Sequence, residues 1–451
     1  MRTPLSRPPS RGRQCLHATL PLVSHDAVAP EAVTDNTVPM GRVGCGRQTV
    51  VQIAYACRPA AGSESGAGWA WALAASRFSD VILLLGMPAE RDDVEKVVAE
   101  LNLAITPQAV SLPGWLEQVL AAGRPGTFAR QALGSLRYCI WQFAAARALI
   151  RLEGRQQVDV VHHITFASDS FPTALTASRA PVRIWGPVGG ATRMPLPLYR
   201  YLGARGALEE LARVVATAVS RAIFGNVAAR RATLVLALNG DVEHRFRRRA
   251  RRIEIESNIG LHKDELRSDA VVASSTGSSN TCTAIFAGRL LPWKGLRLAV
   301  EALRYAPEWR LVIYGDGPDR HAIERVGRSF GLEERVEVRG NVSREVVLAA
   351  MQSADAFLFP SFHDAASTAV AEASALGCPV VCLDLGGPRL QAGVNAHVVT
   401  VSPNRTLAKR LGLTLAALKG RGVEDAHLSS DRIEGNLRKW YSEAERTTAR
   451  P

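Results

Sequence analysis

Residues 283–295 read Thr283-Ala284-Ile285-Phe286-Ala287-Gly288-Arg289-Leu290-Leu291-Pro292-Trp293-Lys294-Gly295. The apolar run 283–287 has the length of a buried strand and is stopped by glycine, and from Leu296 the pattern resumes with a helical period. The same unit then repeats. Strands are predicted at 310–314, 335–339, 356–359 and 380–383, with helices at 296–305, 320–330, 344–353 and 368–376 between them. Parallel neighbours can be joined only by a long return connection, so this alternation describes a doubly wound parallel sheet. In such sheets the ligand lies beyond the carboxyl ends of the strands. The informative residues are therefore those just after each strand.

Upstream of this domain, assigned to 283–428, stands Ser274-Ser275-Thr276-Gly277-Ser278-Ser279-Asn280 within an expected linker, 265–282. Small polar residues between two periodic regions have nothing to bury and read as a connection. Before it, short apolar runs at 49–56, 81–86, 159–165, 181–186 and 234–238 alternate with helical stretches such as 92–102. They define a first Rossmann-like domain over 47–264. Residues 429–451 are expected to form a C-terminal helix and tail. Residues 1–46, rich in Pro, Arg and Ser without a period, read as a disordered tail, with Met40 an alternative start. A chain beginning at Arg47 is expected to fold and act without them.

With 451 residues and a hydrophobic fraction of 47%, two such cores can be filled. The net charge of +13 suits phosphate-bearing ligands or an anionic membrane surface. Nucleic acid is disfavoured as a partner, because no nucleic-acid-binding motif accompanies the charge and aromatics are only 6%. The densest basic run, Arg245-Phe246-Arg247-Arg248-Arg249-Ala250-Arg251-Arg252, reads first as a solvated face. Residues 198–252 as a whole carry 12 arginines against four acids among alternating apolar residues. That composition suggests peripheral contact with an anionic membrane. Seven scattered cysteines, none in a Cys-x-x-Cys pair, argue against a disulfide framework or zinc site and for a reducing compartment. No uninterrupted apolar stretch reaches the length needed to span a bilayer, so a cytoplasmic location, peripheral at the inner face of the membrane, is expected.

The loop after the 283–287 strand carries Arg289 and Lys294 at the opening of a helix. A helix start offers free N–H groups and the positive end of its dipole, so a guanidinium fork and an ammonium added there make a diphosphate site. Only six of the 55 cationic residues are lysine, which gives Lys294 extra weight. After the 310–314 strand come Gly315-Asp316-Gly317-Pro318, whose glycines permit either close approach to a ligand or a tight turn. After the 356–359 strand come Pro360-Ser361-Phe362-His363-Asp364, with Glu372 eight residues beyond the acid on the following helix. One carboxylate can accept two hydrogen bonds from ribose hydroxyls and the other can orient a sugar ring. Glu372 lies among Val370, Ala371, Ala373, Ala375 and Leu376, a setting in which a carboxylate needs partners.

Taken together, Gly-Arg-Leu-x-x-x-Lys-Gly, Gly-Asp-Gly-Pro, the spaced acids and Gly377-Cys378-Pro379-Val380-Val381 resemble glycosyltransferase family 4 over nearly all of residues 283–390. The resemblance implies the GT-B fold, two doubly wound Rossmann-like domains facing across a cleft. It implies metal-independent, retaining transfer, of hexosyltransferase type, from a nucleotide-diphosphate sugar to a carbohydrate, lipid-linked or small-molecule acceptor, with no cofactor. Arg289 and Lys294 would then hold the donor diphosphate, Asp364 would face the donor sugar and Glu372 would bind the ribose. Gly315, Gly317, Ser367 and Thr368 would lie along the donor. The first domain is similar to a subgroup of that family through Gly62-Ser63-Glu64, Gly66, Gly68-Trp69, Asp159-Val160-Val161-His162-His163 and Trp185-Gly186-Pro187-Val188-Gly189-Gly190. By that likeness Gly66 and Gly68 border the donor, and one histidine, His162 or His163, lies near the reacting sugar. Asp364 where many members have Glu, and Ser367-Thr368 where Gly and a larger residue are expected, depart from the pattern. Two rival readings are a sugar-nucleotide 2-epimerase and an inactive nucleotide-sugar-binding subunit.

Overall fold

A computed structural model describes residues 47–59, 63–121, 128–266, 281–402 and 406–443. The expected tail, most of the expected linker and Gly62 lie outside the described residues. The first domain contains seven strands: β1 (Gln48–Ala54), β2 (Ser79–Leu85), β3 (Ile105–Ala109), β4 (Val160–Thr165), β5 (Val182–Val188), β6 (Leu234–Ala237) and β7 (Ile253–Ile255). They form one parallel sheet in the order β3-β2-β1-β4-β5-β6-β7. The second domain contains β8 (Cys282–Ala287), β9 (Trp309–Tyr314), β10 (Val336–Gly340), β11 (Ala356–Phe359), β12 (Val380–Leu383) and β13 (Ala396–Val399). Its sheet, also parallel, runs β10-β9-β8-β11-β12-β13. Helices cover both faces of each sheet, so central strands such as β4, β11 and β12 are buried along their whole length. A strand covered on both sides must be apolar throughout rather than alternating, and these are the strands the sequence marks most clearly. The edge strands β3, β7 and β13 are shorter of apolar residues and escaped prediction.

In each sheet the strand order reverses between the first and fourth strands, β1/β4 and β8/β11. This switch point splays the following loops apart and opens a crevice. The loop after β8, with Arg289 and Lys294, and the loop after β11, with Asp364, flank the second crevice. The first is flanked by the segments after β1 and β4.

The division between domains differs from expectation at two places. Ile259, Leu261 and Leu266 are buried in the core of the second domain, so the chain crosses before residue 264. The C-terminal helix Ser430–Tyr441 returns to the first domain, where Ile433, Leu437, Trp440 and Tyr441 join the core around Val50 and Trp71. The Trp440 and Trp71 rings stack with centroids 6.3 Å apart. A third crossing is made by a helix of 29 residues, Gly203–Arg231, which includes one π-helical turn, Arg221–Gly225. Its first turns rest on the second domain beside Pro292 and Arg297, while Arg221 pairs with buried Asp169 of the first domain at 3.1 Å.

Candidate donor site and the facing cleft

The site is built by zipping two loops together. Gly295 adopts φ +75°, and a Cβ there would fall 2.1 Å from the Pro360 carbonyl oxygen, so only glycine allows the β8 and β11 loops this close. The Trp293 carbonyl accepts from Phe362 N at 2.8 Å and from Ser361 Oγ at 3.3 Å. Trp293 also stacks on His363, centroids 5.4 Å apart. This registry brings Lys294 Nζ to both oxygens of Asp364, at 3.0 and 2.8 Å, over the Phe359 ring at 5.0 Å. Arg289, one turn of loop earlier, is exposed and makes no ion pair among the described residues.

Glu372 lies on the helix Thr368–Ala375 and is buried. Arg344 donates to its Oε1 from Nε at 2.9 Å and approaches through Nη2 at 2.8 Å. Burial pushes the Glu372 carboxyl above its ordinary range, and the guanidinium only partly opposes this. Arg344 was not singled out from the sequence. A signal existed, because a cation in the first turn of a helix, here Arg344–Ser353, runs against the helix dipole and calls for a partner. Ser367 is buried at the cap of the Glu372 helix and Thr368 is exposed at its first residue, beside N–H groups that lack intrahelical acceptors.

The glycines of Gly315-Asp316-Gly317-Pro318 approach protein rather than open space. A Cβ on Gly315 would meet the Gly288 carbonyl oxygen at 2.0 Å, and one on Gly317 the Leu290 carbonyl oxygen at 2.4 Å. Leu290 N donates to the Asp316 carbonyl at 3.0 Å. These glycines therefore shape the Arg289 loop from behind. Gly68 is likewise a packing residue, since a Cβ would lie 2.6 Å from the Ala56 carbonyl oxygen. Gly66 sits half-buried on the same helix, Ser63–Ser76.

The two histidines are not brought to the cleft. His162 is fully buried, with Nε2 donating to the Gly186 carbonyl and Nδ1 accepting from Tyr441 Oη, both at 2.8 Å. His163 is equally enclosed, Nδ1 taking the Thr173 hydroxyl at 2.8 Å and Nε2 facing the Thr165 carbonyl at 3.0 Å. Burial lowers their pKa values to about 3 and about 4, keeping both rings neutral. With every ring nitrogen occupied, neither has a free position for a sugar. The expectation of a histidine beside the reacting sugar is corrected here: the strand that carries them is covered on both faces.

What reaches the first-domain crevice instead is Phe166, immediately after β4. It is an exposed aromatic with φ +53°, a strained conformation for a non-glycine residue. Glu64 Oε1 accepts from its N–H at 2.7 Å, and Tyr138 Oη donates to its carbonyl at 2.9 Å. Glu64 Oε2 also accepts from Asn258 Nδ2 at 3.1 Å, and burial raises its carboxyl pKa. Nothing in the local sequence announces a positive φ at Phe166. Across the cleft, a Cβ placed on Gly189 would lie 3.6 Å from the Ala365 methyl, next to Asp364, so the loop after β5 faces the loop after β11 directly. Among the described residues no group of three or more His, Cys, Asp and Glu is placed to hold a metal ion.

Residues 273–415 match the family described as glycosyl transferases group 1. A GDP-mannose-dependent alpha-mannosyltransferase of Mycolicibacterium smegmatis is 41% identical over 105 residues, 23% of this chain and 26% of that protein. A D-inositol 3-phosphate glycosyltransferase of Xylanimonas cellulosilytica is 34% identical over 129 residues, 28% of this chain and 31% of its own length. A 2-deoxystreptamine N-acetyl-D-glucosaminyltransferase of Niallia circulans is 29% identical over 110 residues, 24% and 28% of the two chains. The matched stretches thus span less than a third of these relatives' lengths. Over the whole molecule, the sucrose-phosphate synthase of Thermosynechococcus elongatus superposes with a TM-score of 0.54 at 15% identity, covering 89% of this chain and all of the other. Anabaena HepE in complex with UDP superposes with a TM-score of 0.50 at 15% identity, covering 88% and 100%. The architecture is the GT-B fold, and its second domain carries the group 1 glycosyl transferase signature.

Proposed function

We propose that the chain is a retaining, metal-independent glycosyltransferase that uses a nucleotide-diphosphate sugar. The observation that carries this reading is the zipped pair of loops at the β8/β11 switch point. It places the exposed Arg289 guanidinium, the Lys294–Asp364 pair and the start of the Glu372 helix on one rim. That rim offers two cations and a helix start to a diphosphate, and two carboxylates to hydroxyls. Glu372, held by Arg344, takes the ribose hydroxyls, and Asp364 takes the donor sugar. The acceptor, a carbohydrate, lipid-linked or small-molecule hydroxyl compound, lies against Phe166 and the Gly189 loop.

The acceptor hydroxyl attacks the anomeric carbon from the face that the phosphate is leaving. The bond from that carbon to the diphosphate oxygen breaks, and the departing phosphate oxygen takes the acceptor proton. Negative charge grows on the diphosphate as this happens. Arg289, Lys294 and the helix N–H groups stabilise it in the role a divalent cation would otherwise have. Closure of the cleft excludes water and limits donor hydrolysis. The test is release of nucleoside diphosphate from a panel of UDP-, GDP- and ADP-sugars, with lipid extract or sugars as acceptors and with EDTA present. Transfer with retained anomeric configuration in EDTA supports the reading. Abolition by EDTA with rescue by a divalent cation overturns the metal-free mechanism, and donor epimerisation without acceptor overturns transfer.

A further inference from the structure

The helix Gly203–Arg231 shows solvent an almost uninterrupted apolar face. Leu208, Leu211, Val215, Val219, Ile223 and Val227 are each between 44% and 68% exposed. From Leu211 onward they recur every fourth residue, which sets them along one ridge of the helix. Exposed Ala212, Ala216, Ala218 and Ala222 fill the gaps. Between Glu209 and Arg230 no exposed residue of this helix is charged. Among the described residues nothing covers this apolar face, and faces of this kind mark an interaction surface.

The charges around it identify the partner. Val227, at the end of the ridge, lines a cavity of about 380 Å³ whose other walls are Arg183, Arg230, Arg231 and Arg251, with no acidic residue among them. Arg230, Arg231 and Arg251 make no ion pair among the described residues. Arg183 is held in place by donating from Nε to the Arg231 carbonyl at 2.9 Å. Burial, then repulsion by Arg251 and Arg231, outweighs the pull of Glu153 and lowers its pKa, and an anion in the cavity would relieve that repulsion. A second arginine group begins at Arg245, which donates to the Arg221 carbonyl of the same helix at 2.8 Å.

We propose that this helix docks the protein, lying flat, on an anionic lipid bilayer, with its apolar ridge among the acyl chains and the arginine cavity over phosphate headgroups. A second copy of the chain would cover the ridge but leave the cavity's cations without counter-charge. A lipid surface satisfies both at once. The helix is long enough to span a bilayer, but its inner side is committed to the protein. Arg221 pairs with Asp169, Glu210 faces His363 Nε2 at 3.9 Å, and Gly206 rests on Pro292 beside Lys294. Spanning would tear these groups out, whereas lying on the surface keeps them. The position follows from the helix itself and not from the sugar-transfer reading, so docking requires no turnover.

The test is co-sedimentation with phosphatidylcholine vesicles, alone or mixed with phosphatidylglycerol, in low and high salt. The full chain is expected to bind only the phosphatidylglycerol vesicles and to be released by salt. Paired substitution V215E/V219E, on exposed positions that leave the fold intact by circular dichroism, should abolish binding. R230Q/R251Q should weaken it about 25-fold, roughly fivefold for each arginine lost near an anionic surface. A variant without donor chemistry, K294M, should bind vesicles as the unmodified chain does. The proposal is overturned if anionic vesicles bring down no protein, or if V215E/V219E binds unchanged. It is equally overturned if the chain is a dimer that V215E/V219E converts to monomer while vesicles are ignored.

Discussion

Lys294 is occupied before any donor arrives, because both of its close contacts go to Asp364. On the proposed reading an incoming diphosphate shares this ammonium with the carboxylate, and the sharing is most favourable when the leaving group gains charge. Replacing Lys294 by Met is therefore expected to cut kcat about a hundredfold to a thousandfold. On the proposed reading Glu372 holds the ribose equally before and during the reaction, so Glu372→Gln should mainly raise the donor KM. Steady-state kinetics on both variants separates the two roles, and equal loss of kcat from both would contradict them. The histidines act on stability instead. Their folded pKa values of about 3 and about 4 lie below the ordinary 6.5, so as pH falls from 6.5 the unfolded chain takes up protons that the folded rings refuse. The stability is fully present above pH 6.5 and is lost toward the folded values, by up to about 1.4 kcal/mol per pH unit for each ring. The melting temperature should drop through this window, and His162→Gln should flatten the slope while lowering stability at neutral pH.

At the scale of elements, the pivotal joint is between the loops after β8 and β11. Gly295→Ala places a Cβ against the Pro360 carbonyl and forces a positive φ on alanine. The expected cost is about 1–3 kcal/mol in stability together with a misplaced Lys294. Thermal melts and kcat on this variant check it: normal activity would mean that the zipped registry is dispensable. The strands and helices around the joint were legible beforehand, with β11, β12 and the helix Arg344–Ser353 matching the expected bounds residue for residue. They are short, strongly apolar or strongly periodic, and bounded by glycine or proline. β3, β7 and β13 were not legible, because edge strands need not be apolar on both faces; β10, also at an edge, was legible through its alternating Val336 and Val338.

At the scale of the molecule, three segments among the described residues tie the domains together: residues 257–266, the helix Gly203–Arg231 and the C-terminal helix. The last is cemented by Trp440, fully buried against Trp71, and by Tyr441, whose hydroxyl reaches His162 and, at 3.2 Å, Gln52 Nε2. Trp440→Ala should cost about 3–5 kcal/mol, the range for deleting a buried aromatic. Chemical denaturation of this variant should show the first domain unfolding at lower denaturant. An unchanged transition would mean that the helix only decorates the surface.

The sequence by itself determined the two alternating domains, the positions of Arg289, Lys294, Asp364 and Glu372 just after strands, and the concentration of arginine in residues 198–252. Each is a property of neighbours in the chain: a run of apolar residues, a glycine stop, a spacing of a few positions. Tertiary structure alone decided which of those side chains meet. Lys294 finds Asp364 70 residues away, Glu372 finds Arg344 28 residues away, and His162 is sealed by Tyr441, 279 residues away. It also decided that the apolar residues of Gly203–Arg231 gather on one outward ridge, where composition showed only that apolar residues and arginines alternate. A side chain's exposure and partners are set by whatever the fold packs against its element, and that comes from the far parts of the chain.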